Sequence, residues 1–255
     1  MLAEERLTQI YHLILTTKAV KIDELAQLYQ VTPMTIRRDL NKLAGSHKDI
    51  RRCHGGAVLS VEVDSEEGFE SKKNINVAEK IQVAEKAFTL IKDQDTVYLD
   101  AGTTTFELAK LIAESELTLK VITNDVEISR VLDRSKCEVL VTGGMLQKST
   151  GCLVGNFAEE FISNIKFKIA FMGATAINEN FEVLTPSIEK RTMKPLVVRN
   201  SSESYLLVDS DKFNRSSTYL IYNLNDFTGV ITTKKFDSKE KEILEKNGVE
   251  LIQVY

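Results

Sequence analysis

The 255-residue sequence has few cysteines and prolines, and it lacks a long apolar run. Cys53, Cys137 and Cys152 are odd in number and far apart, which excludes a disulfide framework and a metal cluster with CxxC spacing. No apolar run approaches the roughly 20 residues that span a bilayer. Acidic Glu4 and Glu5 stand where a signal peptide would place positive charge. We therefore expect reduced thiols, no metal, no cofactor, no membrane partner and a cytoplasmic location.

The residues that are present indicate a globular protein with two domains. Apolar residues make up 43% of the chain and charged residues 27%. The length exceeds what one small domain needs. Residues 1–60 hold nine Lys and Arg against six Asp and Glu, a net charge of +3, whereas residues 61–255 hold 24 against 31, a net charge of −7. The overall charge of −4 therefore conceals a basic segment that could bind nucleic acid.

Residues 32–43 have the pattern of a DNA-recognition helix. Thr32 can cap the first turn, and Pro33 supplies a helical φ without losing a needed donor. Ile36, Leu40 and Leu43 share one face. The residues that point away from this apolar face or flank it are Met34, Arg37, Arg38, Asn41 and Lys42. Outward basic residues are often only solvated charge, and for this helix alone that alternative stays open.

The neighbouring segments favour a winged helix-turn-helix. A short amphipathic helix is predicted over 21–29, with a tight turn at Gln30 and Val31 before the recognition helix. A first helix is predicted over 3–16, a short strand over 19–21, a helix stop at Gly45 and Ser46, and a hairpin wing over 50–58 after a polar turn through 47–49. The apolar residues of the first two helices are Leu7, Ile10, Leu13, Ile14, Leu25, Ala26, Leu28 and Tyr29.

Each predicted DNA contact has a distinct role. Arg37 and Arg38 could reach guanine edges and Asn41 could pair with adenine, whereas wing arginines would contact phosphates. Asp39 is expected to orient an arginine. His54 is expected to be a turn residue more than a metal ligand, because no second ligand lies at suitable spacing. The predicted DNA-binding residues are Thr32, Met34, Thr35, Arg37, Arg38, Asn41, Lys42, Arg51, Arg52 and His54.

The second half of the chain alternates helical and β-branched segments, which predicts an α/β fold with a parallel sheet. Strands are predicted over 96–99, 119–123, 138–142, 169–172, 204–208, 228–232 and 249–254. In such a sheet the loops after the strands line the ligand crevice. Residues 59–74 are polar and lack a helical or strand period, so they are predicted to be a linker in which Phe69 pins the connection.

The loop 100–105, Asp-Ala-Gly-Thr-Thr-Thr, is the strongest ligand-binding candidate. Gly102 allows close approach of the backbone, three threonine hydroxyls can donate, and the free N–H groups of the following helix attract an anion. The loop matches neither G-x-x-x-x-G-K-[ST] nor G-x-G-x-x-G, so a small phosphorylated ligand fits better than a nucleotide. Threonine-rich turns also cap helices without any ligand, and this alternative stays open.

Several of these residues resemble a known family. Arg6, Ile10, Ile14, Thr32, residues 35–40 (Thr-Ile-Arg-Arg-Asp-Leu) and residues 54–57 (His-Gly-Gly-Ala) are similar to the amino-terminal signature of the DeoR/GlpR family of bacterial sugar-metabolism regulators. The resemblance implies a winged helix-turn-helix domain over 1–58, a linker over 59–74 and a larger α/β domain over 75–255. That α/β domain is expected to resemble ribose-phosphate isomerases and CoA transferases and to sense a phosphorylated sugar.

By the same resemblance, a set of residues in the second domain would hold the phosphorylated sugar. They are Asp100, Gly102, Thr103, Thr104, Thr105, Asn124, Gly143, Lys194 and Lys212. The segment 185–195 departs from the family pattern, because Pro195 disfavours helical geometry at Lys194 and removes a donor inside the expected helix. The sequence therefore leaves open the position of Lys194 and, with it, the choice of effector.

The leading functional hypothesis is a repressor of a sugar-catabolism operon that releases operator DNA when it binds a sugar phosphate. Paired half-sites favour a homo-oligomer, either a dimer or a tetramer. A rival hypothesis is a sugar-phosphate isomerase with an appended DNA-binding head, in which Asp100, Asp125 or Glu189 acts as base and Lys194 stabilises charge. The scattered carboxylates and the absence of histidine after residue 54 weigh against it. A third possibility is a constitutive DNA-binding protein whose pocket has decayed.

Overall fold

The computed structural model describes residues 3–47, 50–53, 55–59, 61–63 and 66–254. The chain divides into two compact units. The first comprises Met1–Glu62 with Asn214–Ser216, and the second comprises Val63–Phe213 with Ser217–Tyr255. The predicted turn residues 48 and 49 and the predicted contact His54 lie outside the described residues. Within the described ranges, no helix combines the length and the apolarity that crossing a membrane requires.

The first unit is a winged helix-turn-helix. Its elements are α1 (Ala3–Thr17), β1 (Ala19–Lys21), α2 (Ile22–Leu28), α3 (Pro33–Ser46), β2 (Ile50–Cys53) and β3 (Gly56–Leu59). Strand β3 is the centre of a three-stranded antiparallel sheet, with β1 on one side and β2 on the other. Strands β2 and β3 form the wing. The three predicted helices, the short strand and the hairpin are therefore confirmed.

The core of the first unit joins all three helices. Ile10 and Ile14 of α1, Leu25 of α2, and Ile36 and Leu40 of α3 are each no more than 1% exposed and pack in one cluster. Burying side chains of this size stabilises the unit by about 1.5–3 kcal/mol each. The predicted apolar face of the recognition helix is confirmed.

A buried ion pair fixes α3 against α1. Arg6 Nε lies 2.6 Å from Asp39 Oδ2, and Arg6 Nη2 lies 3.2 Å from Asp39 Oδ1. Both side chains are about one-tenth exposed. The planar guanidinium matches a carboxylate with two parallel hydrogen bonds, which sets the helix orientation as well as its position. The expectation that Asp39 orients an arginine is confirmed, and the arginine is Arg6.

The ends of α3 confirm two predictions, and the buried face of α2 corrects one. The Thr32 side chain accepts a hydrogen bond from Thr35 N, and Pro33 is the first helical residue, as predicted. The predicted stop at Gly45 and Ser46 is confirmed, because α3 ends at Ser46, with Gly45 still on its last, exposed turn. Leu28, predicted to be in the apolar face of α2, is 62% exposed. The buried face of this short helix comprises Ile22, Leu25 and Ala26. Leu28 lies three residues after Leu25, but at the edge of that face and at the end of the helix, where it is exposed.

The rest of the chain contains the larger α/β fold, together with two short strands, Val61–Val63 and Arg215–Ser217, most of whose residues belong to the first unit. In chain order its elements are β4 (Val61–Val63), α4 (Phe69–Lys73), α5 (Val77–Phe88), β5 (Thr96–Leu99), α6 (Thr103–Glu114), β6 (Lys120–Thr123), α7 (Val126–Leu132), β7 (Glu138–Val141), β8 (Met145–Gln147), β9 (Cys152–Val154), α8 (Asn156–Ser163), β10 (Phe167–Gly173), β11 (Ala176–Ile177), β12 (Glu182–Thr185), α9 (Ile188–Arg199), β13 (Ser201–Val208), β14 (Arg215–Ser217), β15 (Tyr219–Asn223), β16 (Gly229–Thr232), α10 (Ser238–Lys246) and β17 (Leu251–Gln253). Short 3-10 helices span Ser210–Lys212 and Leu224–Asp226.

A seven-stranded parallel sheet forms the centre of the second unit, with strand order β17-β16-β13-β10-β5-β6-β7. Each of the seven predicted strand segments is one of these strands, so the parallel α/β prediction is confirmed. Neighbouring residues alternate between two buried clusters: Tyr98 and Met172 lie in one, Leu99 and Phe171 in the other. Both faces of the sheet are therefore covered, as parallel sheets require.

Two sequence predictions for the second unit are wrong. Residues 59–74 are not without regular structure, because β4 and α4 lie within them. Phe69 is 6% exposed, and its ring packs edge-on against that of Phe106, with the ring centres 5.2 Å apart. This one buried side chain holds the otherwise polar helix α4 in place. The predicted pinning role of Phe69 is therefore confirmed. Helix α9 runs unbroken through Pro195. Buried Met193 and Val197 hold it in place, and Lys194 is helical.

Candidate functional site

The predicted DNA-contacting residues of α3 lie on one exposed face of the first unit. Met34 is 61% exposed, and Arg37, Arg38, Asn41 and Lys42 are also exposed. The buried residues of the helix are on the opposite face. A helix that is anchored on one face and presents two arginines, a lysine and an amide on the other can enter a major groove and read base edges.

Thr32 and Thr35 fix the start of this helix. Their hydroxyl oxygens lie 3.0 Å apart, and Thr35 N–H donates to Thr32 Oγ1 at 3.3 Å. Both hydroxyls therefore take part in the amino-terminal cap. Each oxygen retains a lone pair, so the cap leaves room for a further contact.

The wing adds positive charge beside the recognition helix. Arg51 and Arg52 lie on β2 and are half-buried. Burial lowers the pKa of Arg52, and the positive charge of Arg37 lowers the pKa further. The Nη1 atom of Arg52 is buried and has no hydrogen-bond partner among the described residues. A DNA phosphate between α3 and the wing would relieve this repulsion.

The second unit contains a cavity where β5 ends and α6 begins. Its walls come from α4, from the loop between β5 and α6, from the end of β10, from α9 and from the short 3-10 helix after β13. The lining residues are Glu66, Phe69, Lys72, Ala101, Gly102, Thr103, Thr104, Thr105, Thr150, Gly173, Ala174, Thr175, Lys190, Lys194, Leu207 and Lys212. The four lysines Lys72, Lys190, Lys194 and Lys212 are called the lysine cluster below.

Lys194 is held at the inner end of the cavity. Its Nζ atom lies 2.6 Å from Asp100 Oδ2 and donates to Gly173 O at 2.8 Å. Gly173 N–H donates to the same Asp100 oxygen at 2.9 Å. Asp100 has no exposed surface, and Lys194 is 5% exposed. The ammonium group is thus fixed by the ends of two neighbouring strands, β5 and β10.

Glu66 connects the other side of the cluster. Its Oε1 atom lies 3.1 Å from Lys190 Nζ and accepts hydrogen bonds from Thr175 at 3.1 Å and Thr185 at 3.3 Å. Its Oε2 atom lies 3.6 Å from Lys72 Nζ. Burial alone would raise the pKa of Glu66, but the charges of Lys190, Lys72 and Lys194 outweigh burial and lower the pKa to about 2. Glu66 is therefore ionised throughout the physiological range.

The cavity has an excess of positive charge. The lysine cluster supplies four ammonium groups, whereas Glu66 and Asp100 supply two carboxylates, which leaves a net charge of +2. Burial lowers the pKa of Lys72, Glu66 opposes that effect, and Lys190 and Lys212 lower the pKa further. Like charges in a partly desolvated cavity are costly unless an anion joins them. The site therefore suits a dianionic ligand.

Comparison with known proteins agrees with this geometry. Residues 6–63 match the model of the DeoR-like helix-turn-helix domain, and residues 75–234 match the model of the DeoR C terminal sensor domain. The chain belongs to the DeoR family. It is therefore a DNA-binding transcriptional regulator with a sensor domain.

Relatives in the DeoR family match nearly the full length. The HTH-type transcriptional regulator GlpR of Haloferax volcanii is 31% identical over 99% of this chain and 98% of its own. The lactose phosphotransferase system repressor of Lactococcus lactis is 34% identical over 83% of this chain and 84% of its own. Among solved structures, ribose 5-phosphate isomerase A of Methanocaldococcus jannaschii is 22% identical over 54% of this chain and 55% of its own, with a TM-score of 0.40. Likeness of that degree does not bear on activity.

The sensor-domain cavity brings together six of the nine predicted effector residues. Gly102, Thr103, Thr104, Thr105, Lys194 and Lys212 line it. Asp100 lies directly beneath and pairs with Lys194. The sequence leaves the position of Lys194 open, and α9 places its ammonium group in the cavity despite Pro195.

Asn124 and Gly143 do not line this cavity, and the hydroxyl of Thr105 is used within its own loop. Asn124 is fully buried: its Oδ1 accepts from Ala101 N–H at 3.0 Å and its Nδ2 donates to Leu153 O at 3.4 Å, so it supports the loop from behind. Gly143 lies in a different groove, beside Gly144 and Phe157. The Thr105 hydroxyl is 2.6 Å from Asp100 O and 2.8 Å from Gly102 O, so it closes the loop upon itself.

Sequence reasoning missed five charged or polar cavity residues, namely Glu66, Lys72, Thr150, Thr175 and Lys190. Glu66, Phe69 and Lys72 have a spacing of three residues, which is a weak helical signal inside a polar segment. Lys190 lies four residues before Lys194, a spacing that places both on one helix face. Neither of these two spacings predicts that the residues line the cavity at the start of α6.

Proposed function

We propose that the protein represses a sugar-catabolism operon and that a phosphorylated sugar in the sensor-domain cavity releases it from operator DNA. The observation that carries this proposal is the net charge of +2 beside the start of α6. A phosphate monoester is close to a dianion at neutral pH, so it neutralises the cavity. We assign DNA binding to residues 1–58 and sensing to residues 75–255. The connecting residues 59–74 also contribute Glu66, Phe69 and Lys72 to the sensor cavity.

The start of α6 supports a phosphate position. The first-turn N–H groups of Thr103, Thr104 and Thr105 have no acceptor within the helix, and the helix dipole adds positive potential there. Thr103 and Thr104 are 7% exposed and line the cavity together with Lys212. Phosphate oxygens at this position would receive backbone, hydroxyl and ammonium donors at once.

On DNA, α3 would enter the major groove while Arg51 and Arg52 contact phosphates on either side. One helix reads few base pairs, so we propose a homo-oligomer, a dimer or tetramer, that occupies paired half-sites. A regulator of this kind acts in the cytoplasm, where operator DNA lies. The name of the Lactococcus lactis relative, a lactose phosphotransferase system repressor, supports repression as the mode of action.

Sensing is favoured over isomerase chemistry by the position of the three candidate bases. Asp125 caps α7 through bonds from Glu127 N and Ile128 N, and Glu189 accepts from the Ser187 hydroxyl at the start of α9. Asp100 is occupied by Lys194 and Gly173. None of these three carboxylates lines the cavity wall, where a base must reach the substrate carbon.

The test is fluorescence anisotropy on DNA from upstream of its own gene, titrated with a panel of phosphorylated sugars. The wild type is expected to bind at low salt and to be released by one compound. Lys212→Met should weaken the response to that compound at least about tenfold. Lys239→Met, an exposed lysine of α10, is the matched control and should respond as the wild type does.

The DNA half of the proposal has its own pair of variants. Arg38→Ala should cost about 1–3 kcal/mol of operator binding and relax sequence preference. Arg134 is an exposed arginine of the second unit, and Arg134→Ala should change neither operator affinity nor sequence preference. No binding of the wild type to operator DNA at low salt would contradict the proposal.

A further inference from the structure

Glu66 presents one carboxylate oxygen to the cavity without a hydrogen-bond partner. Its side chain is 10% exposed, and Oε2 is buried with no hydrogen-bond partner among the described residues. Oε1 has three donors, whereas Oε2 faces the Lys72 ammonium group at 3.6 Å, which is beyond hydrogen-bond distance. A buried acceptor of this kind costs free energy until a donor reaches it.

A sugar hydroxyl is the donor that this position lacks. The proposed phosphate position uses the start of α6 and Lys212, whereas Glu66 lies among Lys190, Thr175 and Thr185. A ligand whose phosphate is at α6 would extend its remaining carbons within the same cavity. An ionised carboxylate accepts a strong hydrogen bond from a hydroxyl group, but it repels a second carboxylate.

The same residue also sets the charge that the cavity accepts. With Glu66 in place the net charge is +2, which a single phosphate dianion neutralises. Without Glu66 the net charge would be +3, which would suit a phosphorylated acid that carries three negative charges. Asp100 cannot take over this role, because it is fully buried and fixed by Lys194 and Gly173.

We propose that Glu66 determines effector specificity: it admits the phosphate of a neutral sugar, accepts one of its hydroxyls at Oε2, and rejects a phosphorylated sugar acid. This inference rests on the proposed function. Because its carboxylate reaches the ligand directly, Glu66 acts on ligand choice and not only on the shape of the site.

Two small probes with the same carbon skeleton test the proposal. Glycerol 3-phosphate and 3-phosphoglycerate share a three-carbon chain with a terminal phosphate, and they differ in carrying a hydroxyl or a carboxylate at the far end. At pH 8 both phosphates are dianions, because the second pKa is about 6. Calorimetry on the full chain gives the ratio of the two dissociation constants, with inorganic phosphate as a reference ligand.

The wild type is expected to bind glycerol 3-phosphate at least about tenfold more tightly than 3-phosphoglycerate. Glu66→Gln keeps the shape of the side chain and removes its charge, so the ratio should fall at least about tenfold. Glu70→Gln is the matched control: Glu70 is an exposed glutamate of α4, four residues after Glu66, and the ratio should stay at the wild-type value. A circular dichroism melt checks that each variant folds.

Lys212→Met supplies the opposite charge change without touching a buried residue. It lowers the net charge to +1, so discrimination against 3-phosphoglycerate should increase severalfold even if Glu66→Gln does not fold. An unchanged ratio in either folded variant, with inorganic phosphate still bound, would overturn the role of Glu66 and leave the proposed function standing. Failure of the wild type to bind inorganic phosphate and glycerol 3-phosphate at millimolar concentration would overturn both.

Discussion

The carboxyl group of Asp125 combines a capping role with complete burial. Its Oδ1 accepts hydrogen bonds from Glu127 N at 2.7 Å and Ile128 N at 3.1 Å, which secures the start of α7. Burial raises the pKa of Asp125 to about 6, the two N–H bonds oppose that effect, and the charge of Asp100 raises the pKa further. In the unfolded chain the same carboxyl group has a pKa of about 3.9.

This difference predicts a specific pH dependence of stability. The folded-state pKa is raised, so the folded chain binds the proton more tightly, and stability falls as the pH rises from the unfolded value through about 6. Asp125→Asn keeps the capping oxygen and removes the titration. The free energy of unfolding of the variant, measured relative to that of the wild type, should be about 1 kcal/mol higher at pH 7 than at pH 5. Urea unfolding of both proteins at pH 5 and pH 7 measures this difference in unfolding free energy. A difference that is the same at both pH values would contradict the raised pKa of Asp125.

At the residue scale, sequence reasoning works where partners are close in the chain. The cap between Thr32 and Thr35 follows from a spacing of three residues. Glu66 and Lys190 are 124 residues apart, and nothing in either local pattern indicates that they form an ion pair. The family resemblance places Asn124 in the ligand site, but its side chain turns inward and accepts a hydrogen bond from Ala101 N–H.

Among the elements, the strand β3 depends on one glycine for its pairing with β1. A Cβ atom at Gly56 would lie 1.8 Å from the carbonyl oxygen of Val20, which is backbone and cannot move aside. Gly56→Ala should therefore destabilise the first unit by at least about 3 kcal/mol and abolish DNA binding. Calorimetry should show that the sensor domain still binds phosphate.

Gly45→Ala is the matched control for this substitution. Gly45 lies within α3, and a Cβ atom there meets nothing within 4 Å. Alanine inside a helix is favoured over glycine, so this variant should gain about 0.5–1 kcal/mol and keep its DNA affinity. Equal effects of the two substitutions on thermal unfolding would show that the contact with Val20 is not what constrains position 56.

Substitution of Pro195 by alanine tests how the proline affects helix α9. Proline removes one backbone donor and crowds the preceding turn, yet the helix is continuous from Ile188 to Arg199. Alanine should restore a backbone hydrogen bond and raise the free energy of unfolding by about 1–3 kcal/mol. Each kcal/mol should raise the melting temperature by about 2–4 °C. Phosphate affinity should stay within about twofold of the wild type, because Lys194 already has its helical position. A loss of phosphate binding would mean that the Pro195 geometry positions Lys194.

The elements were predictable to different degrees for a physical reason. The five inner strands of the parallel sheet are largely buried, and the edge strands β7 and β17 are only partly buried. All seven contain runs of apolar and β-branched residues, so all seven were found. Strands β8, β9, β11 and β12 have two to four residues each, too few to show a period, and they were missed. Helix α4 was missed because a single buried side chain, Phe69, holds it.

At the scale of the whole molecule, the two functions occupy different units of the chain. The basic surface with α3 is in the first unit, and the lysine cluster is in the second. If effector binding weakens DNA binding by some factor, DNA must weaken effector binding by the same factor. Coupling of this kind typically amounts to about 5–150-fold. The reciprocity holds whatever route connects the sites.

The most direct test of effector-controlled DNA binding is therefore a pair of titrations on one sample of full-length protein. Operator affinity is measured by anisotropy with and without the releasing sugar phosphate, and sugar-phosphate affinity is measured by calorimetry with and without operator DNA. We predict that both affinities fall by the same factor, at least about fivefold. Operator affinity that stays constant at saturating sugar phosphate, with calorimetry showing that the ligand is bound, would contradict control of DNA binding by this cavity.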